Sequence, residues 1–288
     1  MNIVLGATGQ IGFMLAKSLF KKGQPVRAVV RDETKAHELK KMGIEVFVAD
    51  YLDKEALTKA FHNGKTAFLL TPENPTAENQ LDEARLVLDN YREAVKASGI
   101  SKIVGLSSMG AQHESGTGNL VASYLLEHAF DGIDIEQVFV RPAYYYSNWI
   151  GYMELIRTQA TLPTFFPSEM KVSMISPSDV AEFLADVMVQ ETSQERIYEI
   201  CGPCDYSSLD IARIFGKVLN KNVALQQIPP DKWEHALEQV GFSADGIKNF
   251  MLMTKAVIDG KTNGDTPDPV RLFMDFQTFL ERTVCLAH

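Results

Sequence analysis

The sequence has 288 residues, 45% of them hydrophobic and 23% charged, with a net charge of −9. That length buries a substantial core in one large or two unequal domains, and the acidic balance argues against nucleic acid or a membrane surface as a partner. Three cysteines make no disulfide scaffold, the scattered histidines have no metal-ligand spacing, and no apolar run is long enough to span a bilayer, so a cytoplasmic protein is expected.

The first predicted strand, NIVLG, runs into the turn GATGQIG and then the helical pattern IGFMLAKSLFKKG. Gly6, Gly9 and Gly12 recur at intervals of three between strand and helix. Residues without a Cβ let a pyrophosphate approach the backbone, and the helix N-terminus offers it free N–H groups. Gly12 also lets the helix pack closely on the strand. With Thr8, Gln10 and Ile11 these glycines form the expected cofactor-binding turn.

The second strand, PVRAVV, meets Arg31 as its first polar residue. NAD-preferring sites place an acid there for the ribose 2′-hydroxyl, whereas a guanidinium pairs with a 2′-phosphate. NADP(H) is therefore favoured. Asp32, one residue on, keeps NAD(H) open. A helix TKAHELKKMG and a strand IEVFVAD follow. Asp50, at that strand's end, is placed to receive the adenine amino group or to cap the next helix, DKEALTKAFHNG. Strand TAFLLT ends at Thr71 and Pro72, ahead of a long helix from about Ala77 to Ser98. Strand SKIVGLSS delivers Ser107 and Ser108 to the carboxyl end of the sheet, where such folds bind ligands. Helix LVASYLLEHAF and strand IEQVFVRP complete the series.

Nearly pure apolar strands alternating with helices predict a doubly wound, Rossmann-type parallel sheet over residues 1–145. Beyond it, AYYYSNWIGYMELI is aromatic and then helical, and ATLPTFFP reads as a loop. Strands KVSMIS and RIYEI, flanking helix PSDVAEFLADVM, return to the core near residues 171–200. The rest of 146–288 reads as a smaller, mostly helical substrate or partner lobe. Tyr144, Tyr145, Tyr146 and Trp149 could wall a site for planar rings or fill the core joining the lobes, and Asn148 could orient their loop. CGPC, with Cys201 and Cys204, has the letters of a dithiol motif. Its helix, however, is expected to start only at Ser207 or Ser208, so Cys201 reads as a strand end.

GATGQIG, VVRD, FLLTP, SSMGA, VRPAYYYSNW, SPSDVAEFLADVM and YEICGP, in this order, resemble the NmrA-like branch of the atypical short-chain dehydrogenase/reductase superfamily. The resemblance covers most of the chain. It implies nicotinamide binding, with Thr71 and Pro72 along the dinucleotide, and either quinone or azo reduction or redox sensing without catalysis. Many members carry a lysine or histidine four residues ahead of a glutamate. Here that glutamate aligns with Glu127, and the reactive position falls on Ser123, which cannot act as an acid near neutral pH. Nor does any tyrosine have the lysine four residues on that the superfamily's Tyr-x-x-x-Lys requires. Tyr124 with His128 is the nearest available acid pair, with Ser107 or Ser108 as oxygen-binding partner. Both rings could equally be packing and surface residues of their helix. The expected function is an NADP(H)-dependent oxidoreductase passing hydride to a small planar acceptor such as a quinone. The alternatives are a non-catalytic NADP(H) sensor acting through a regulatory protein and, disfavoured by the missing motif, a nucleotide-sugar epimerase. Exposed helices in such folds often form homodimers.

Overall fold

Short apolar strands separated by one-sided helices bury both faces of a sheet when the strands run parallel and the helices cross over. The computed structural model, which describes residues 1–285, takes this form. Strand β1 (Asn2–Val4) leads to α1 (Gln10–Lys21), β2 (Val26–Val30), a 3₁₀ turn over Glu33–Ala36 and α2 (His37–Lys41). The alternation continues through β3 (Glu45–Val48), α3 (Lys54–Phe61), β4 (Thr66–Leu70), α4 (Gln80–Ser98), β5 (Lys102–Leu106), α5 (Val121–His128) and β6 (Glu136–Pro142). Next come β7 (Tyr144–Tyr145), α6 (Ser147–Ile150), α7 (Met153–Gln159), β8 (Thr161–Thr164), β9 (Val172–Ile175), α8 (Pro177–Val189) and β10 (Ile197–Cys201). The chain finishes with β11 (Asp205–Tyr206), α9 (Ser208–Leu219), β12 (Ala224–Gln227), α10 (Trp233–Gln239), α11 (Ala244–Ile258), β13 (Val270–Arg271) and α12 (Phe276–Cys285).

Eight strands form one sheet in the order β13-β10-β6-β5-β4-β1-β2-β3, parallel at every pairing. This is the Rossmann-type α/β fold expected. Strand order reverses between β1 and β4, which opens a crevice at their carboxyl ends. One sheet face is buried by Leu15 and Leu19 of α1 with Val180 and Leu184 of α8. The other is buried by Leu57 and Phe61 of α3 with Val87 and Tyr91 of α4. A third apolar cluster, around Tyr146, Trp149, Ile156, Phe215, Phe276 and Leu280, is the later segment's own core.

Three features differ from the sequence reading. The chain returns to the main sheet beyond residue 200, because β13 pairs with β10. The segment read as a Pro-punctuated loop contains β8, which pairs in parallel with β12. The long helix starts at Gln80, because Asn79 accepts from the Asp82 N–H (3.1 Å) and caps it there.

Candidate functional site

The glycine turn is built as a phosphate cradle. Gly6 has φ +59, a left-handed conformation that favours glycine. A Cβ on Gly12 would lie 2.3 Å from the Gly6 carbonyl oxygen, so α1 sits too close to β1 for a side chain. No side chain caps α1 and no acid occupies its first turn, so its first N–H groups stay available to an anion. Thr8, Gly9 and Gln10 are exposed around it, while Ile11 is buried in the core and offers only its backbone. These residues fit a dinucleotide pyrophosphate. Gln10 also accepts from Ser147 Oγ (3.0 Å), which ties the turn to the aromatic segment after β6.

At the end of β2, Arg31 is exposed, lies 5.0 Å from the Tyr51 ring centroid and donates to the phenol oxygen at 2.8 Å. Asp32 turns away and accepts from Thr34 N–H (2.9 Å) and Oγ1 (2.6 Å), capping the 3₁₀ turn. These bonds pull its carboxyl below the ordinary value. The acid that kept NAD(H) open is thus engaged locally. Asp50 does not cap α3. It accepts from Leu52 N–H (2.8 Å), and Asp53 caps the helix through Ala56 N–H (3.0 Å). Thr71 and Pro72 follow β4, half-buried at the rim.

At the end of β5 the structure assembles a constellation that the sequence reading did not find. Ser107 is buried and donates to Glu127 at 2.6 Å. Arg141 donates to the same carboxylate through Nε (2.8 Å) and Nη2 (2.7 Å), a bidentate pair. Its Nη1 reaches Glu199 at 3.3 Å, and Glu199 accepts from the N–H groups of Asp265 (3.1 Å) and Thr266 (2.9 Å). Burial opposes the Arg141 charge, yet Glu127 and Glu199 hold the guanidinium above its ordinary value. Burial opposes the Glu199 charge as well, but the Thr266 and Asp265 N–H groups and Arg141 hold its carboxyl below. The available signal was a charge inside each of two otherwise apolar strands, Arg141 in VFVRP and Glu199 in IYEI.

Ser108 donates to Ser123 at 2.9 Å, so the position aligned with the reactive lysine holds a buried serine facing the β5 end. Ser123 and Glu127, one turn apart, take the face of α5 that meets Ser107 and Ser108. Tyr124 and His128 fall on the next face, their ring centroids 4.4 Å apart. His128 is exposed and bonded to Asp131 (3.0 Å). Among the described residues no hydrogen bond joins either ring to Ser107 or Ser108.

The aromatic wall also divides. Tyr146 is fully buried in the later segment's core, its hydroxyl donating to Met274 O (3.1 Å), and Trp149 is buried beside it. Tyr145 points the opposite way from β7, toward the sheet core, as strand alternation requires. Its hydroxyl is buried without a hydrogen-bond partner among the described residues, and burial, with Glu73 nearby, pushes it up. Tyr144 is half-buried, edge-on to Phe166 (5.6 Å), and Asn148 is exposed. Tyr146 and Trp149 are thus core, Tyr144 and Tyr145 are half-buried, and Asn148 is exposed.

The sequence profile of the NmrA-like family matches residues 2–273. The chain belongs to the NmrA-like family. It is 25% identical over 244 residues to an NAD(P)H azoreductase of Xenophilus azovorans, covering 84% of this chain and 82% of that protein. The structure of the NADPH-dependent quinone oxidoreductase QOR2 of Escherichia coli, complexed with NADPH, superposes with a TM-score of 0.79 at 24% identity, over 99% of this chain and 100% of that one. A nucleoside-diphosphate-sugar epimerase structure from Staphylococcus aureus superposes with a TM-score of 0.81 at 17% identity, over 98% of this chain and 100% of that one.

In this NmrA-like chain a cavity of about 240 Å³ lies between the ends of β6 and β10 and the later segment, with Met109, Arg141, Ser173, Cys201, Thr262 and Arg271 among its walls. Cys201 closes β10, buried, and burial pushes its thiol up. Cys204 is exposed, and both are free thiols. Helix α9 starts beyond them, where Ser207 and Asp210 form a reciprocal cap. A reactive dithiol needs its first cysteine at a helix N-terminus, and Cys201 is not there.

Proposed function

We propose that this chain is an NADP(H)-dependent oxidoreductase that passes hydride to a small planar acceptor such as a quinone. The observation that carries the reading is the cradle of Gly6, Gly9 and Gly12 beneath uncapped N–H groups of α1, with Arg31 at the adenosine end and Asp32 engaged elsewhere. When bound, the nicotinamide supplies the hydride. The N–H groups of α1 hold the pyrophosphate, Arg31 pairs with the 2′-phosphate, and Thr71 and Pro72 border the dinucleotide. Tyr144, Tyr145 and Asn148 line the acceptor side. Ser107, bonded to the carboxylate of Glu127 that Arg141 holds, fixes the end of β5. The names of the relatives, an azoreductase and a quinone oxidoreductase, favour the same acceptor class. A quinone suits a site without the lysine, because hydride arrival makes an aromatic anion that water can protonate.

A second reading, a non-catalytic NADP(H) sensor with a protein partner, is favoured by one observation. Ser123 is bonded to Ser108, and no lysine, histidine or tyrosine bonds either serine of the β5 end among the described residues. Purified protein mixed with NADPH and a panel of quinones and azo dyes, followed at the nicotinamide absorbance band, separates the two. Turnover on a quinone is expected. Tight NADPH binding without oxidation by any acceptor would sink the reductase reading.

A further inference from the structure

A selective role for Tyr51 rests on the proposed pairing of Arg31 with a 2′-phosphate. A lone surface arginine is a weak anion site, because its long side chain must be ordered at the moment of binding. Arg31 is ordered beforehand, stacked 5.0 Å from the Tyr51 ring centroid with Nη1 donating to the phenol oxygen at 2.8 Å. The phenol accepts in this bond, so its own proton is unspent. Burial pushes Tyr51 up, which keeps that proton in place. The remaining N–H groups of Arg31 make no hydrogen bond among the described residues.

Tyr51 is itself anchored from three sides. Its ring packs against the apolar cluster beneath α3 and α4. Its carbonyl accepts from Asn90 Nδ2 of α4 (3.1 Å). The turn around it is fixed by Asp50, which accepts from Leu52 N–H at 2.8 Å. Strands β2 and β3 run in parallel with Val30 opposite Val48, so the residues that follow emerge side by side at one rim of the sheet.

We propose that Tyr51 is the positioning residue for dinucleotide selection, presenting Arg31 in a fixed pose and adding its own phenolic O–H toward the phosphate monoester on the ribose 2′-oxygen. A tyrosine that merely supported the adenine ring would strengthen NADPH and NADH alike. One that orders Arg31 acts on the 2′-phosphate alone.

The test is calorimetric titration with NADP+ and with NAD+, which differ only in the 2′-phosphate, on wild type, Tyr51→Phe, Tyr51→Leu, Arg31→Ala and Arg31→Ala/Tyr51→Leu. Tyr51→Leu should weaken NADP+ about 10-fold and NAD+ less than about 2-fold. Tyr51→Phe, which keeps the ring, should lose only about 3-fold on NADP+. In the Arg31→Ala background, Tyr51→Leu should cost no more than about 3-fold, the direct contact alone. Retained NAD+ affinity reports that each variant is folded. Equal losses on both ligands, or a Tyr51→Leu loss undiminished in the Arg31→Ala background, would overturn the proposal. If wild type binds both ligands equally, the 2′-phosphate reading fails and takes the proposal with it. If Arg31→Ala erases a real preference that the Tyr51 variants retain, only the role of Tyr51 fails.

Discussion

Replacing Glu127 by glutamine should destabilise the protein by about 3 kcal/mol. Glu127 accepts three hydrogen bonds, from Ser107 Oγ (2.6 Å), Arg141 Nε (2.8 Å) and Arg141 Nη2 (2.7 Å). Glutamine keeps the volume but accepts on one oxygen only, and its amide nitrogen then faces an Arg141 N–H whichever way it is turned, Nε at one oxygen position or Nη2 at the other. The guanidinium, 5% exposed, would keep only Glu199 at 3.3 Å and the more exposed Asp265 at 3.4 Å. Removing one partner of a buried ion pair costs roughly 3–5 kcal/mol, and the surviving carboxylates place this case at the lower end. Replacing both partners, Glu127→Leu with Arg141→Met, should cost at least about 1 kcal/mol less than the sum of the single changes, because no charge is left facing an apolar substitute across the pair. Urea unfolding followed by tryptophan fluorescence measures wild type, Glu127→Gln, the two single changes and the double variant. A loss below about 1 kcal/mol for Glu127→Gln, or strict additivity in the double variant, would refute the argument that this array is a tightly coupled buried pair.

Gly12→Ala should lower NADPH affinity at least about 10-fold, because the new Cβ meets the Gly6 carbonyl and α1 must move off the cradle; fluorescence titration of NADPH checks it. Tyr124→Phe should leave NADPH oxidation within about 2-fold of wild type, since its hydroxyl is not joined to the β5 serines, and a large loss of rate would return Tyr124 to the site. Asp210 is held at about 2 despite its partial burial, chiefly by Lys171 and the Ser207 N–H and hydroxyl. Its folded value is depressed, so its contribution is complete above the ordinary 3.8 and is lost as pH falls toward about 2. Thermal unfolding across that window should therefore fall more steeply for wild type than for Asp210→Asn.

What the sequence made legible was local. The glycine turn, the strand–helix alternation and the helix start at Ser207 or Ser208 depend on residues within a few positions of one another, and the structure has all three. Strand β8 was hidden because its ladder, Thr161 against Ala224, forms with a distant segment. In AYYY the aromatic character was plain, but which rings face the cleft depends on the register of β7. That register sends Tyr144 to one core and Tyr145 to the other. Arg141 and Glu199 are charges in apolar strands, a signal the sequence reading passed over, and Glu127 lies on a helix and Asp265 in a late loop, so only the fold could show that they meet.

The pairing of β13 with β10 has a consequence for biosynthesis. Strands β1 to β6 find their sheet neighbours among themselves, and the crossovers between them are short enough to form while the chain is still emerging from the ribosome. The outer edge of β6 then stays open until residues 197–201 arrive, and the edge of β10 until Val270 and Arg271 do. For that interval a nascent chain carries an unpaired strand edge, a surface that invites a second chain. Val270 and Arg271 therefore cover that edge only after every strand they shield has been made.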